Sequence, residues 1–228
     1  VPSSRTTRTP GIPTFDELER ASCSGSCPGL FSQLKEVYLF GCNTLNPVPL
    51  SRASAEVVRG LVREGHSLKE AERQLRALNA GHGESSRDRM RQVFWNVPVI
   101  YGFSSVAPLG PMAGATLNRH FQAGGGREIG LGSPSKRLLT HFASNSMTSA
   151  PGMTAKDPHA SVRGDVCQFV DDRLPDAKKL GFVHQLLQRD AGQARVQLDR
   201  IERFFKALEA PARRTPDTIG MRRRSWRR

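Results

Sequence analysis

The apolar residues of this chain fall into short continuous runs and longer periodic stretches. The continuous runs are residues 34–42, with the core VYLF, and residues 97–103, with the sequence VPVIYGF. Runs that are apolar without alternation and rich in β-branched and aromatic residues predict strands buried on both faces, as in a parallel sheet covered by helices. Pro98 fits this prediction because proline is tolerated near the start of a strand.

The periodic stretches predict helices between the two strands. Apolar residues repeat at helical spacing over residues 51–64. Ser67 and Glu70 then form a capping box that opens a second helix, which ends at Gly81. A third predicted helix covers residues 86–94 and directs three arginines outward, namely Arg87, Arg89 and Arg91. Strands and helices in this alternation indicate an α/β fold.

The chain after the second strand is predicted to be mostly helical. Pro111 suits the first turn of a helix from Gly110 to Gln122, and a short helix is predicted over residues 134–143. Residues 123–135, which are rich in glycine, and residues 144–159 are predicted loops. Helices occupy most of residues 165–209, and the last has an apolar stripe typical of either core packing or a docking face: Leu198, Ile201, Phe204, Phe205 and Leu208.

Composition divides the chain into four segments. Residues 1–30 are rich in Ser, Thr, Pro, Arg and Gly and predict a flexible leader or processed linker, with one short helical possibility at residues 14–21. The segment with both predicted strands follows, then a mostly helical extension, then an arginine-rich tail; these are residues 31–123, 124–210 and 211–228.

Positive charge is concentrated at the end of the chain. The net charge is +13, and residues 213–228 contain seven arginines against one acid, Asp217. This composition suits nucleic acid or another acidic partner, and it is equally that of a solvated terminus. No apolar run approaches the roughly 18 residues of a membrane span, and no secretory signal opens the chain. We therefore expect a cytoplasmic protein with no membrane partner.

The four cysteines suggest neither a disulfide framework nor a metal site. They are irregularly spaced, and no second Cys/His pair at ligand spacing follows Cys23 and Cys27, so no metal or other cofactor is expected. Cys167 lies in a helical stretch and is expected in the core. Cys42 ends the first strand, where it is either a packed residue or a thiol presented to a substrate.

Two segments in this order resemble the caspase-like cysteine peptidases. VYLFGCNT, residues 37–44, is followed by VPVIYGFSSVAPLGPMAGATLNRHF, residues 97–121. In that group, which contains caspases, separases and bacterial CHAT domains, a hydrophobic strand ends in a small residue and cysteine. Helices, a second apolar strand and a helix finishing in an aromatic pair follow. The resemblance implies the C-terminal portion of a caspase-like parallel sheet flanked by helices, with residues 31–123 as the catalytic portion that holds the nucleophile strand.

The resemblance also implies a site at the carboxyl end of the first strand. Cys42 would be the nucleophile of a cysteine endopeptidase, and its backbone N–H would stabilise the oxyanion. Asn43 and Thr44 would turn the chain through local side-chain hydrogen bonds. The loop after the second strand contains no Asp or Glu, so a preference for basic residues is not implied. The residues expected to bind substrate are Gly41, Ser104, Ser105 and Val106.

A cysteine peptidase also needs an imidazole, which this family carries before the cysteine strand. Residues 1–41 contain no histidine, and His66 and His82 stand after the cysteine beside predicted helix ends. The resemblance therefore implies either an upstream His-bearing fragment of the same protein or a non-catalytic relative. Because the chain begins at Val1, we expect a processed product or part of a longer protein, which favours the fragment.

Three functions remain open on the sequence. The first is a cysteine endopeptidase acting on a protein substrate. The second is a non-catalytic interaction module that uses the apolar stripe and the arginine-rich tail. The third is a nucleic-acid-binding protein, for which the charge is suitable but aromatic residues, at 7% of the chain, are few and a recognition motif is missing.

Overall fold

A small mixed sheet lies at the centre of the fold. The structure is a computed structural model that describes residues 14–24, 29–49, 54–82, 84–157, 160–189 and 197–208. Strand β1 (Glu36–Tyr38) pairs in parallel with β2 (Val99–Phe103), and β2 pairs antiparallel with β3 (Met147–Ala150). The parallel pair confirms the α/β prediction at this coarse level, because both predicted strands form and are neighbours.

Helices and turns make up the rest of the described chain. Two helices begin with capping boxes in which a hydroxyl and a carboxylate satisfy reciprocal backbone N–H groups, at Thr14 and Ser85. Short 3₁₀ helices occupy Gly125–Glu128 and Ala143–Asn145. In chain order the α-helices are α1 (Phe15–Cys23), α2 (Ser54–Arg63), α3 (Leu68–His82), α4 (Ser86–Val93), α5 (Gly110–Gln122), α6 (Lys136–His141), α7 (Ala160–Val170), α8 (Asp176–Arg189) and α9 (Leu198–Leu208).

Both faces of the sheet are covered, as the unbroken apolar runs predicted. Every residue of β2 is buried. On one face Val37 and Ile100 pack with Val93 and Phe94 at the end of α4. On the other face the buried cluster combines the alternate strand residues with α6 and the turn after it: Val99, Tyr101, Phe103, Leu138, Phe142 and Met147.

Strand β3 lies in a segment predicted to be loop, and that prediction is wrong for Met147–Ala150. Only the two end residues of this strand are buried, so its sequence has no long apolar run to reveal it. Its backbone pairs with β2 from Phe103↔Met147 to Ile100↔Ala150. The backbone pairing with the edge of β2 explains this strand, whereas the intrinsic strand propensity of its residues does not.

The apolar stripe of α9 is part of a core. Ile201, Phe204 and Leu208 are buried among residues of α7 and α8, and Phe205 packs against the same cluster. Leu198 packs instead against the cluster between α2 and α3. Of the two interpretations that the sequence allowed, core packing is confirmed, and the stripe is not a free docking face.

The predicted leader contains a helix joined to the body of the fold. Helix α1 is amphipathic, and its Glu19 is 5% exposed. Cys23 at its end forms a disulfide with Cys167 of α7, with Cα atoms 5.0 Å apart. The expectations of no disulfide and of a core thiol at Cys167 are therefore wrong. Cys27 and the tail at residues 213–228 lie outside the described residues.

Arg89 of α4 was predicted to point outward, and this prediction is wrong. Its side chain is only 8% exposed, and its guanidinium lies 3.3 Å from the centre of the Phe15 ring. It faces Glu19 of α1 and Glu84 at 3.9 and 3.5 Å. The charge is buried because acidic groups from α1 and the chain before α4 surround it, which helical periodicity does not reveal.

Candidate functional site

Cys42 lies four residues after Tyr38, the last residue of β1, so the strand is shorter than predicted and does not end on the cysteine. The thiol stands at the edge of the sheet where β2 also ends. The residue is exposed, and its thiol is the free one among the described cysteines, because Cys23 and Cys167 are bonded to each other. In α/β folds, this edge of a parallel pair is where ligand sites usually form. The packed-residue interpretation of Cys42 is therefore wrong.

The turn that carries Cys42 is fixed to the end of β2 by backbone hydrogen bonds. Asn43 donates its N–H to Ser105 O at 2.7 Å, and Leu45 donates to Phe103 O at 3.0 Å. Asn43 has a φ of 56°, in the left-handed region that asparagine tolerates better than most residues. The prediction that Asn43 turns the chain is met through its backbone conformation.

Thr44 completes the turn through its side chain. Its hydroxyl donates to Gly41 O at 3.0 Å and accepts from the Phe103 N–H at 3.1 Å. This hydroxyl thus joins the two strand ends and closes the turn around Cys42, as the Asn-Thr pair predicted. The contact connects Gly41, a predicted substrate-binding residue, to the segment that holds the thiol.

The sulfur itself contacts the loop that follows β2. The Ala107 N–H donates to Cys42 Sγ at 3.4 Å. Ser104, Ser105 and Val106 precede Ala107, so the structure brings the predicted substrate-binding loop to the thiol. Their roles in binding remain predictions, whereas their position beside Cys42 is a property of the fold.

Sequence reasoning missed the residues that hold this loop from its other side. The N–H and hydroxyl of Ser104 donate to Ser146 O at 3.1 and 3.2 Å, and Asn145 Nδ2 donates to Val106 O at 3.4 Å. Ser146 has a φ of 55° and leads into β3. Because β3 was not predicted, nothing in the sequence pointed to this third support.

The loop that contacts the thiol and the start of the helix after it expose apolar side chains. Val106 and Met112 are each 64% exposed, and Leu109 is 75% exposed. These residues belong to the loop after β2 and the first turn of α5, and residues 104–109 include no ionisable side chain. The site therefore offers uncharged backbone and apolar groups around a single thiol.

Gly102 allows the Cys42 turn to lie directly on β2. A Cβ at this position would be 2.7 Å from both Leu45 Cγ and Thr44 Oγ1. We expect Gly102→Ala to lower the free energy of unfolding by about 1–3 kcal/mol, because the buried Leu45 has to shift. Chemical denaturation measures this loss.

Gly114→Ala in α5 is the matched control for Gly102→Ala. No atom lies within 4 Å of a Cβ at Gly114, and alanine favours a helix interior by up to about 1 kcal/mol. This variant should keep or raise the stability of the protein. Equal stability of the two variants would contradict the close steric contact between the Cys42 turn and Gly102 of β2.

The hydrogen bonds of the described histidines do not involve this thiol. His66 is within 3.4 Å of Gln74 in α3, and no histidine of the described chain hydrogen-bonds to Cys42. His120 stands ten residues after the start of α5, about 15 Å along the helix from Gly110. Its ring lies 5.7 Å from that of His141, as measured between ring centres.

His120 belongs to a polar cluster beside β1. Burial lowers the pKa of His120, and the nearby Glu128 opposes this effect. In the same cluster, burial and a hydrogen bond to Glu36 raise the pKa of Tyr38, and burial raises that of Tyr101. None of these groups hydrogen-bonds to Cys42 within the described chain, so they do not supply a base to it.

The described residues contain neither a metal cluster nor a helix suited to the bilayer. No three His, Cys, Asp or Glu side chains come together as metal ligands in the described ranges. Across the same part of the chain, each helix is too short or too polar to span a membrane.

Comparison of the chain with models of protein families, with curated proteins and with solved structures found no match.

Proposed function

We propose that the chain is the thiol-bearing part of a cysteine endopeptidase, with Cys42 as the nucleophile. The observation that carries this proposal is the exposed, unpaired thiol beyond the carboxyl ends of two parallel strands. The turn at Gly41 and the loop at Ser104–Val106 frame that thiol through named hydrogen bonds. A merely packed cysteine needs no such arrangement.

The proposed reaction passes through a thioester. The Cys42 sulfur attacks the carbonyl carbon of a peptide bond, and the C–N bond breaks as the amine takes the proton that the thiol gave to a base. Water then hydrolyses the thioester, which restores the thiol and releases the acid. The Cys42 N–H makes no hydrogen bond within the described chain, so it is available to the oxyanion.

The base comes from outside the described residues in this proposal. No described histidine contacts Cys42, and an imidazole is the group that accepts a thiol proton near neutral pH. An upstream His-bearing fragment of the same protein would supply it. Gly41, Ser104, Ser105 and Val106 would then line the substrate, which is a protein segment lying along the end of β2.

The decisive experiment labels the natively purified protein, with any chain that copurifies, using a thiol-reactive peptide electrophile. Mass spectrometry locates the adduct and identifies every chain present. We expect rapid modification of Cys42 that is lost when the His-bearing fragment is removed. Cys42→Ala should abolish both labelling and peptide cleavage while leaving the denaturation midpoint nearly unchanged, because the side chain is exposed.

The control for this experiment is Cys42→Ser. Serine has nearly the same size as cysteine, but its hydroxyl is a much weaker nucleophile than a thiol. This variant should retain the fold and lose cleavage, as the alanine variant does. Cleavage that persists in Cys42→Ala would contradict the proposal. A Cys42 that reacts no faster than a free thiol in a short peptide, with the partner chain present, would contradict it equally.

The disulfide indicates in which type of cellular compartment the protein functions. Disulfides persist in oxidising compartments and are rare in the cytosol, so the Cys23–Cys167 bond is a reason to revise the cytoplasmic expectation. We propose an oxidising compartment instead. Trapping of free thiols with an alkylating reagent at the moment of cell lysis tests this, because a reduced Cys23 in the native cell would contradict it.

A further inference from the structure

A buried histidine of α5, His120, faces a half-buried histidine of α6, His141. His120 is 2% exposed, and its ring meets that of His141 edge to face at 5.7 Å. His120 Nδ1 and His141 Nε2 are both buried and have no hydrogen-bond partner within the described chain. Such orphaned nitrogens are uncommon in folded proteins, and each calls for an explanation.

The backbone of the first 3₁₀ helix closes over this pair. A side chain at Gly125 would overlap the His120 imidazole, so only glycine lets the backbone lie directly on the ring. Gly124, with a φ of 88°, turns the chain from α5 into this position. His120 can reach water only if the 3₁₀ helix or α6 moves away.

The charged groups around His120 are already engaged with other partners. Glu128 of the 3₁₀ helix accepts a hydrogen bond from the Ser135 hydroxyl and lies 3.8 Å from Arg137 of α6. Glu36 of β1 accepts from the Gly130 N–H at 2.9 Å and from the Tyr38 hydroxyl. Neither carboxylate is hydrogen-bonded to His120, and its ring contacts are the Phe121 ring at 5.2 Å and the second imidazole at 5.7 Å.

These surroundings favour the neutral ring. Burial is the largest cause that lowers the pKa of His120, and His141 and Arg137 act in the same direction against Glu128 and Glu36. The closed state therefore binds fewer protons than an open state in which the ring meets water. Stability of the closed state is complete above the ordinary pKa of 6.5 and is lost as the pH falls from there through the lower folded-state pKa.

We propose that His120 and His141 form an acid-sensitive latch, which holds the segment from the end of α5 to α6 closed at neutral pH and opens it in mild acid. An open latch exposes the sheet face that α6 covers. His141 directly precedes Phe142, whose ring packs on Phe40 and Phe103 at 5.7 and 6.0 Å. Opening therefore loosens the strand ends that support the Cys42 turn. This inference does not depend on the proposed peptidase function of Cys42.

Hydrogen exchange measured by mass spectrometry at pH 7.5 and pH 5.5 tests the latch, with each rate corrected for the intrinsic pH dependence of exchange. One pH unit below its ordinary pKa, an exposed imidazole is protonated about 90% of the time. Protection over residues 119–142 should therefore fall by up to about 10-fold relative to protection in α8. This measurement needs only the wild-type protein. If the ratio of protection between the two regions is the same at both pH values, the proposal is wrong.

Variants assign the effect to the latch. His120→Gln and His141→Gln should each show a smaller pH effect on protection over residues 119–142, whatever their stability at pH 7.5. His184→Gln is the control, since His184 lies exposed on α8 and should leave the pH effect unchanged. If both latch variants keep the full wild-type pH effect, or if His184→Gln removes it, the proposal is wrong.

Discussion

We expect Arg200→Met to lower the free energy of unfolding by about 3 kcal/mol, because the substitution leaves two buried carboxylates without their main counter-ion. Arg200 of α9 places Nη2 2.9 Å from Glu19 Oε1 and 3.0 Å from Glu84 Oε2. All three side chains are at most 9% exposed. Methionine fills the volume but supplies no charge. Urea denaturation at neutral pH measures the loss.

The size of this loss follows from the arrangement of the buried network. Arg89 also faces Glu19 and Glu84, but at 3.9 and 3.5 Å, so it compensates less well than Arg200. Breaking a buried ion pair by removing one partner costs roughly 3–5 kcal/mol, and the remaining Arg89 places this case at the lower end. The network matters because it connects α9 to α1 and to the start of α4.

Arg203→Met is the matched control in the same helix. Arg203 also connects α9 to α1, through Asp16 at 2.9 Å, but the two side chains are 50% and 57% exposed. Ion pairs in water contribute about 0–1 kcal/mol, so this variant should remain close to wild type. If the two variants lose equal stability, the buried network is no stronger than a surface pair.

The sequence was informative where local chemistry decides the structure. Helix α5 begins at Gly110 and ends at Gln122, as its proline and apolar spacing predicted. Ser67 also caps α3 as predicted, with its hydroxyl accepting from the Glu70 N–H at 3.2 Å. Such features depend on residues within a few positions of one another, and these are what a single sequence displays.

Features that depend on distant contacts were not predicted. Strand β3 forms because β2 offers a free edge, and Arg89 is buried because Glu19 arrives from α1. At the site, the sequence indicated the strand end, Cys42 and the loop after β2. It could not indicate Asn145 and Ser146, whose contacts with that loop depend on where β3 pairs.

The disulfide is the clearest case of a distant contact. Cys23 and Cys167 are 144 residues apart in sequence, and neither lies in a motif. They meet because α1 packs against α7, where the Arg163 guanidinium donates to Ser22 O at 3.0 Å and to Gln92 O at 3.0 Å. Prediction of the pair requires the position of α1 in the fold.

Removal of this disulfide by Cys23→Ser together with Cys167→Ser is expected to lower the free energy of unfolding by roughly 2–5 kcal/mol. The bond closes a long loop and so restricts the unfolded chain, and the separation of 144 residues places the expected loss in the upper half of that range. Denaturation of the oxidised protein and of the double variant measures the difference. Peptide mapping without reduction should recover Cys23 bonded to Cys167.

Cys42→Ser provides the control for the loss of a thiol without the loss of a bond, and it should denature like the wild type because Cys42 is exposed and unpaired. Reduction of the wild type should reproduce the stability of the double variant and leave that variant unaffected. A wild type that is equally stable before and after reduction would contradict a structural bond here. In that case Arg163 and the buried ion network alone would hold α1 in place.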